Sequence, residues 1–366
     1  MKNIRHLCAG FLVIIIVIIT LCSCSNDRSE PTNAVSPAGD VFHELTLPAV
    51  TEGQVSVLDA RGSRILYVQE EKLLSKDGGY AYYETKQVGI YDVDAQKSLA
   101  VWEPETPGNY FGGALLDGDA AILALQLDYT NAYPAQFAAM YFGGSQRSLV
   151  EFTGELQWLL PFSGKEALAS YRTDGGAFGV YRLSADGCTD ALLLQADANT
   201  EPMGGDLAVC GDRFCYAYAK NGQVTLCTVS ADGTQDALTL PGSAKLDSFW
   251  LTDGGPLVCQ YVEQNGKAQR LLTRYASGET HEVTRPAADG ALYQLRFTNG
   301  CGFAVNGSWG LQLLQLSEDG TVSCRGVTEL PGELTSVQVR ILSSGDGSFC
   351  LFYPEAQRLF RAVPNS

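Results

Sequence analysis

Three features of the 366-residue sequence predict an all-β fold. Past residue 41, short alternating runs rich in Val, Leu, Tyr and Phe are separated by Gly, Asp-Gly and Asn-Gly, a pattern typical of strands joined by tight turns. Glycine is abundant, with 39 residues, and only 18% of the residues are charged, which argues against a disordered chain or a coiled coil. The third feature is an internal repeat, which indicates the architecture.

The repeat is recognised from one recurring segment, a short apolar strand followed by a polar turn. Placing the first strand of each unit near residues 54, 111, 155, 203, 246, 291 and 335 gives spacings of about 43 to 57 residues, and a four-stranded propeller blade repeats roughly every 40–50 residues. The sequence therefore predicts a β-propeller of seven four-stranded blades, with six or eight blades as alternatives. The copies that define the repeat are Tyr181–Leu183 with Ser184–Gly187, Leu226–Val229 with Ser230–Gly233, Leu313–Leu316 with Ser317–Gly320, and Ile90–Val93 with Asp94–Lys97.

The last repeat unit lacks one strand, and a lone strand before the first unit can supply it. The last unit holds only three strands, near Val337–Leu342, Ser348–Tyr353 and Arg358–Val363, and a lone strand at residues 42–47 precedes the first complete unit. We expect this N-terminal strand to pair with the C-terminal blade, because that pairing closes the ring and removes an exposed edge. A single β-propeller domain then accounts for residues 42–366.

The first residues have the pattern of an export signal. Lys2 and Arg5 precede the weakly polar to apolar run Leu7–Ile19, as in a signal peptide. The run is shorter than the roughly 20 residues that span a bilayer. An uncleaved membrane anchor is the alternative interpretation.

The sequence Leu21–Cys24 resembles the lipobox of bacterial lipoproteins, although Cys22 departs from the usual Ala, Ser or Thr. The resemblance implies that residues 1–23 are a lipoprotein signal peptide, that cleavage precedes Cys24, and that the Cys24 thiol is acylated. Two acyl chains make a stable anchor. Residues 24–41 are then a lipid-anchored, flexible tether.

Together with the repeat, the lipobox resembles the seven-bladed β-propeller lipoproteins of bacterial envelopes. The resemblance implies an exported protein, anchored to the outer face of the cytoplasmic membrane or to another envelope membrane. Loss of Lys2 and Arg5 would take the net charge from −16 to −18. This charge argues against nucleic acid and against anionic lipid headgroups as partners, so we expect the membrane to be reached only through the lipid.

The sequence offers little for a catalytic or metal site. Past Cys24 the histidines are His43 and His281, and neither belongs to a metal-binding or triad motif. The acidic pairs at 92/94 and 117/119 lack the ligand series of a calcium loop, so we interpret them as hairpin turns. We expect no cofactor and no catalytic residue, but a glycosidase or lyase needs only two loop carboxylates and stays an alternative.

Eight cysteines follow Cys24, and strand register argues against a disulfide framework for them. With Asn221-Gly222 as a two-residue turn, Cys215 lies opposite Thr228 and Cys227 opposite Tyr216, so the two sulfurs face opposite sides of the sheet. We expect buried free thiols, with one or two disulfides as the alternative. The eight are Cys188, Cys210, Cys215, Cys227, Cys259, Cys301, Cys324 and Cys350.

Three unusually long connections, at 70–85, 103–110 and 128–135, fall on one face of blades 1 and 2. Long loops on a regular scaffold are often functional, and tyrosine offers rigid contact area for sugars or peptides. We therefore expect a binding or scaffolding module for a neutral or cationic glycan or peptide; a structural subunit of an envelope complex is a further alternative. The candidate ligand-binding residues are Tyr80, Tyr82, Tyr83, Tyr110, Tyr129, Tyr133, Glu84, Glu103 and Asp128.

Overall fold

The structure is a computed structural model, and the residues that it describes all belong to one unit, Ala38–Ser366. In this part of the chain every regular element is a β-strand, and no helix is long and apolar enough to cross a membrane. The described residues are 41–50, 52–74, 81–105, 108–127, 137–144, 146–152, 154–173, 175–203, 207–241, 245–264, 267–276, 279–283, 293–298, 301–305, 311–316, 322–326 and 339–364.

The described strands form seven antiparallel sheets. Strand β1 is Val41–Leu45. Sheet 1 holds β2 Gln54–Arg61, β3 Arg64–Leu74, β4 Ala81–Asp92 and β5 Lys97–Trp102; sheet 2 holds β6 Asn109–Leu116, β7 Ala120–Gln126, β8 Phe137–Gly143 and β9 Gln146–Phe152; sheet 3 holds β10 Gly154–Phe162, β11 Glu166–Thr173, β12 Phe178–Ser184 and β13 Gly187–Leu194. Sheet 4 holds β14 Thr200–Pro202, β15 Ala208–Cys210, β16 Arg213–Lys220, β17 Gln223–Ser230 and β18 Gln235–Thr239; sheet 5 holds β19 Lys245–Thr252, β20 Gly255–Gln264, β21 Lys267–Ala276 and β22 Glu279–Val283. Sheet 6 holds β23 Tyr293–Thr298, β24 Cys301–Val305, β25 Leu311–Leu316 and β26 Val322–Gly326; sheet 7 holds β27 Arg340–Ser343, β28 Phe349–Tyr353, β29 Arg358–Val363 and β1.

The four-stranded sheets are blades of a β-propeller. Six of the sheets are four-stranded along one continuous path, and in sheet 4 the first strand is interrupted into β14 and β15, both of which pair with β16. The first strands contact one another in a cycle, from β2 through β6, β10, β15, β19, β23 and β27 back to β2. The predicted all-β propeller with four-stranded blades is confirmed.

The N-terminal strand closes the ring as expected. Strand β1 pairs antiparallel with β29, from Val41 opposite Val363 to Leu45 opposite Leu359. The Arg358 guanidinium donates two hydrogen bonds to Glu44, at 2.7 and 2.8 Å, across the same pair of strands.

Apolar side chains fill the spaces between neighbouring sheets. One cluster lies between sheets 1 and 2 and includes Leu66, Val68, Leu123 and Leu125. Equivalent clusters lie between sheets 2 and 3 and between sheets 7 and 1. Because sheets packed on both faces leave little exposed surface for charged side chains, this arrangement explains the low charged fraction of the sequence.

Turn chemistry sets the register inside the blades. Asn221 and Gly222 have φ of 53° and 77°, the left-handed backbone that a tight two-residue hairpin requires. Lys220 consequently lies opposite Gln223, and the same ladder places Cys215 opposite Thr228 and Cys227 opposite Tyr216. The predicted cysteine register is confirmed. None of the cysteines whose side chains the structure describes forms a disulfide; these are Cys188, Cys210, Cys215, Cys227, Cys259, Cys301 and Cys350.

The expectation that residues 70–85 form a loop is wrong for most of the segment. Strand β3 continues to Leu74, and β4 begins at Ala81. The two strands stay paired beyond the edge of their sheet, so blade 1 carries a two-stranded extension.

Candidate functional site

The blade 1 ribbon, which we define as Glu71–Leu74 of β3 with Ala81–Thr85 of β4, projects beyond its sheet. Its cross-strand pairs are Glu71 with Glu84, Lys72 with Tyr83, Leu73 with Tyr82 and Leu74 with Ala81. Strand β2 pairs with β3 only up to Glu70, and β5 pairs with β4 only from Val88 onward. Among the described strands, neither edge of the ribbon has a partner strand beyond its base, where the Thr85 amide bonds to the Gly108 carbonyl, and such edges are open to strand addition.

The strand register distributes the ribbon side chains over two faces. Tyr82 and Tyr83 are adjacent in β4, so their rings point to opposite faces. Tyr82 shares its face with Leu73, and Tyr83 shares the other face with Leu74, which is 68% exposed. This corrects the expectation of one tyrosine surface, because the segment is a pair of strands and not a loop. Each face presents one aromatic and one aliphatic side chain.

An ion triad lies at the base of the ribbon. Glu71 and Glu84 are directly opposite each other, and such like charges repel. The Lys86 ammonium contacts Glu71 at 3.2 Å and also contacts Glu84. The hydrogen bond from Lys86 to Glu84 raises the pKa of the lysine. The triad retains one net negative charge.

Buried polar contacts hold the ribbon to the propeller. Glu70, which is buried, accepts a hydrogen bond of 2.9 Å from the Ser56 hydroxyl, and burial raises the pKa of the Glu70 carboxyl. The Thr85 amide donates to the Gly108 carbonyl at 3.2 Å. The Thr85 hydroxyl in turn accepts from the Tyr110 amide at 3.2 Å. The ribbon is thus attached both to its own blade and to the segment that enters blade 2.

The structure brings three of the candidate residues together and separates others. Tyr82, Tyr83 and Glu84 lie on the ribbon, and Glu103 is exposed just after β5. Tyr110 corrects the expectation of an exposed ring: it is fully buried and packs edge-on against Trp102 at 5.9 Å, and burial raises its pKa to about 12. The remaining candidates, Tyr80, Asp128, Tyr129 and Tyr133, lie outside the described residues.

Sequence reasoning missed one ionisable group in the ring interior. Asp59 lies in β2, and its carboxylate accepts a hydrogen bond of 2.7 Å from the Leu115 amide of the next blade. Burial raises the Asp59 pKa to about 7, although this hydrogen bond and one from Ala60 oppose the shift. An aspartate inside the apolar run Gln54–Arg61 is a signal that could have identified it.

Asp59 and Glu70 do not form the carboxylate pair of a glycosidase. Asp59 lies opposite Leu66 in β3, four residues along the strand from Glu70. That spacing corresponds to about 13 Å between backbone positions, whereas glycosidase carboxyl groups are roughly 5–9.5 Å apart. The two groups also bond to different neighbours, because Asp59 accepts from blade 2 while Glu70 faces Arg340 of blade 7.

The acidic pairs interpreted as turns do form turns. Asp92 accepts hydrogen bonds from the Asp94 and Ala95 amides at 3.0 and 2.9 Å, and these bonds hold its pKa below the usual value. Asp117 and Asp119 form ion pairs of 3.0 and 3.4 Å with arginines of blade 1. In the described part of the chain, no group of three or more His, Cys, Asp or Glu could hold a metal ion.

Three outer strands each expose one large apolar residue. Val101 in β5, Leu149 in β9 and Leu193 in β13 are between 43% and 50% exposed. Because single exposed apolar side chains are common on soluble proteins, these residues do not by themselves define the rim of a complex. The blade 1 ribbon remains the feature that departs most from the regular blades.

Comparisons with known proteins agree with the fold. No family model and no curated protein match the chain. The β-propeller domain of the Trilobed protease from Pyrococcus furiosus is similar with a TM-score of 0.54 and 12% identity, over 84% of this chain and 94% of that one. Pyrococcus horikoshii acylaminoacyl peptidase is similar with a TM-score of 0.52 and 12% identity, over 82% of this chain. The match covers 49% of that peptidase, so this chain spans about half its length. At such identities the likeness shows the fold alone: the chain is a β-propeller.

Proposed function

We propose that the protein is an exported, lipid-anchored β-propeller that acts as a recognition module. The N-terminal pattern that ends in Cys24 supports the lipid anchor. The blade 1 ribbon, which extends one blade of an otherwise regular scaffold, supports a role in recognition. Acylation of Cys24 would hold the propeller at an envelope membrane through the tether of residues 24–41. Mass spectrometry of the N-terminus of the native protein tests the anchor, and an unmodified Cys24 would contradict it.

All seven sheets serve as blades in this proposal. The interrupted sheet 4 counts as a complete blade because β14 and β15 together occupy the innermost position beside β16. The cycle of contacts between first strands supports this count, since β15 contacts both β10 and β19.

The blade 1 ribbon binds an extended peptide segment of a partner protein. The observation that carries this proposal is that, among the described strands, none pairs with either edge of the ribbon at Tyr82 and Tyr83. An added strand gains main-chain hydrogen bonds along such an edge, and its alternating side chains reach both faces of the ribbon. Leu73 and Leu74 offer apolar contacts on these faces, and the net negative triad favours a neutral or cationic segment over an acidic one.

Selection from a peptide-display library on the intact chain tests this assignment. We expect Tyr82→Ala with Tyr83→Ala to weaken the selected peptides about tenfold or more, because each ring contributes contact area. The matched control is Leu193→Ala, which removes an exposed apolar side chain from another blade and should leave affinity unchanged. Equal affinity of wild type and the tyrosine variant would reject the ribbon, and selective binding to a glycan array would redirect the ligand class to sugars.

A further inference from the structure

The hydrogen bond from the Thr85 amide to the Gly108 carbonyl shows which main-chain groups of β4 point to the outer edge of the blade 1 ribbon. Gly108 does not belong to β3, so this N–H points away from the ladder between β3 and β4. Both main-chain groups of a strand residue point to one side of the strand, and this side alternates from residue to residue. The N–H and C=O of Tyr83 therefore point to the outer edge, whereas those of Tyr82 and Glu84 point toward β3.

The opposite edge of the ribbon, along β3, is less suited to an added strand. The Gln69 side chain donates a hydrogen bond of 2.5 Å to the Glu52 carbonyl. A Cβ on Gly53 would fall 2.2 Å from the Glu70 carbonyl oxygen, so the chain that precedes β2 lies against the base of this edge. The next residue whose main-chain groups point outward is Lys72, which is exposed, and lysine on an edge strand discourages pairing. The edge of β4 is therefore the better template.

A strand added to the β4 edge places one of its residues directly opposite Glu84. Because the main-chain groups of Glu84 point toward β3, this is a non-hydrogen-bonded pair, in which the two side chains approach most closely. Glu84 shares its face with Glu71, and Lys86 contacts both carboxylates. This row of side chains holds two carboxylates and one ammonium group, so a Lys or Arg on the added strand balances its charge.

The next two residues of the added strand lie beside the tyrosines. The residue opposite Tyr83 exchanges main-chain hydrogen bonds with it and directs its side chain to the face of Lys72. The residue after it lies opposite Tyr82, on the face of Leu73, again in a non-hydrogen-bonded pair. An aliphatic or aromatic side chain fits this last position, because it can pack on the Tyr82 ring.

On the basis of the proposed peptide recognition by the ribbon, we infer that the peptide binds at the β4 edge, with a Lys or Arg opposite Glu84 and an apolar residue opposite Tyr82. The added strand runs antiparallel to β4, since antiparallel pairing is the more stable arrangement per residue. From its N-terminus, the recognised segment then reads basic residue, any residue, apolar residue. The edge, the register and the charge of the ligand are thereby specified.

Selection of short random peptides displayed against the intact chain tests the sequence pattern. We expect the enriched peptides to carry Lys or Arg two positions before an aliphatic or aromatic residue. Synthetic copies of one enriched peptide then test the register. N-methylation of the middle residue should weaken binding about tenfold or more, because this N–H pairs with Tyr83. N-methylation of the basic residue should change affinity by less than about threefold, because its N–H points away from β4.

A double-mutant cycle tests the contact with Glu84. Glu84→Gln in the protein and replacement of the basic residue by Thr in the peptide should each weaken binding about threefold, and the two changes together should cost no more than either alone. Glu103→Gln removes an exposed carboxylate outside the ribbon. It is the matched control and should bind the peptide as wild type does.

The outcomes separate this register from peptide recognition itself. A preference for acidic residues, a greater loss on N-methylation of the basic residue than of the middle one, or unchanged affinity in Glu84→Gln each overturns the assignment to the β4 edge. If peptides bind in a manner that depends on Tyr82 and Tyr83 but give one of these results, the register is wrong and peptide recognition stands. If no peptide binds the wild type, both are wrong.

Discussion

At the scale of single residues, Asp59 is the most consequential charge in the ring. Its carboxylate joins the innermost strands of blades 1 and 2 through the Leu115 amide. Arg61, Arg296 and Cys350 are the ionisable groups that interact with it. The group is therefore both an interblade contact and a titratable site close to neutral pH.

Asp59 makes stability depend on pH. Its pKa is about 7 in the folded protein and about 3.9 when unfolded, so between these values the native state binds more protons than the unfolded state. The free energy of unfolding should consequently fall as pH rises from about 4 to 7, by on the order of 1–4 kcal/mol from this group. Urea titrations at pH 4.5, 5.5, 6.5 and 7.5 measure the slope.

Asp59→Asn is the variant that isolates this effect. Since asparagine does not titrate, the variant should lose the Asp59 part of the slope and keep the part that comes from other groups, such as Glu70, whose pKa is also raised. Parallel stability curves for wild type and variant would show that Asp59 does not titrate in this range.

At the scale of elements, a tyrosine–glycine pair recurs in blades 1 and 3. Tyr67 lies opposite Gly89, and Tyr171 lies opposite Gly179, each between the second and third strands. In both blades the ring covers the glycine so closely that a Cβ would fall about 2.3–2.4 Å from a ring carbon. The glycines are needed for close approach and not for unusual backbone angles.

Gly179→Ala should destabilise the protein by about 1–3 kcal/mol, because the added methyl group must displace the Tyr171 ring. That ring cannot move freely, since it stacks on Tyr181 with 4.3 Å between centroids. The urea midpoint measures the loss. Gly175→Ala is the control, because its nearest neighbour would lie 3.9 Å away; an equal loss in both variants would refute the packing argument.

The sequence predicts elements best where local chemistry decides the structure. The Asn221-Gly222 turn fixes a register, so the partners of Cys215 and Cys227 follow from it. Tyr110 was mispredicted because its burial depends on Trp102 and Phe142, which belong to other strands. The ribbon was mispredicted because its polar residues and the nearby Gly78-Gly79 resemble a loop, and only pairing between β3 and β4 makes it a strand pair.

At the scale of the whole molecule, the junction between blades 7 and 1 carries specific cross-links. The Gln357 amide group pairs with the backbone of Val55, accepting from its N–H at 2.8 Å and donating to its carbonyl at 3.0 Å. Arg340 donates to the Val57 carbonyl at 2.8 Å, and the Gly62 amide donates to Ser344 at 2.9 Å. Blade 7 is thus bound to blade 1 along the length of β2.

Gln357→Leu should lower the free energy of unfolding by about 1–3 kcal/mol, because it leaves the Val55 amide and carbonyl without partners. Thermal unfolding measures the change, and amide hydrogen exchange should accelerate at Val55 in particular. Gln223→Ala, which alters an exposed glutamine, is the control. A Gln357 variant as stable as this control would show that the side chain does not join the blades.

The pairing of β1 with β29 also has a consequence for the order of events in synthesis. Glu44 and Arg358, which bridge these strands, are 314 residues apart, so β1 leaves the ribosome long before its partner exists. Until β29 emerges, β1 lacks the strand with which it pairs, and the ring cannot close. The cell must therefore keep β1 from pairing with other strands during translation, and a force applied to the residues preceding β1 would act on the pairing of β1 with β29.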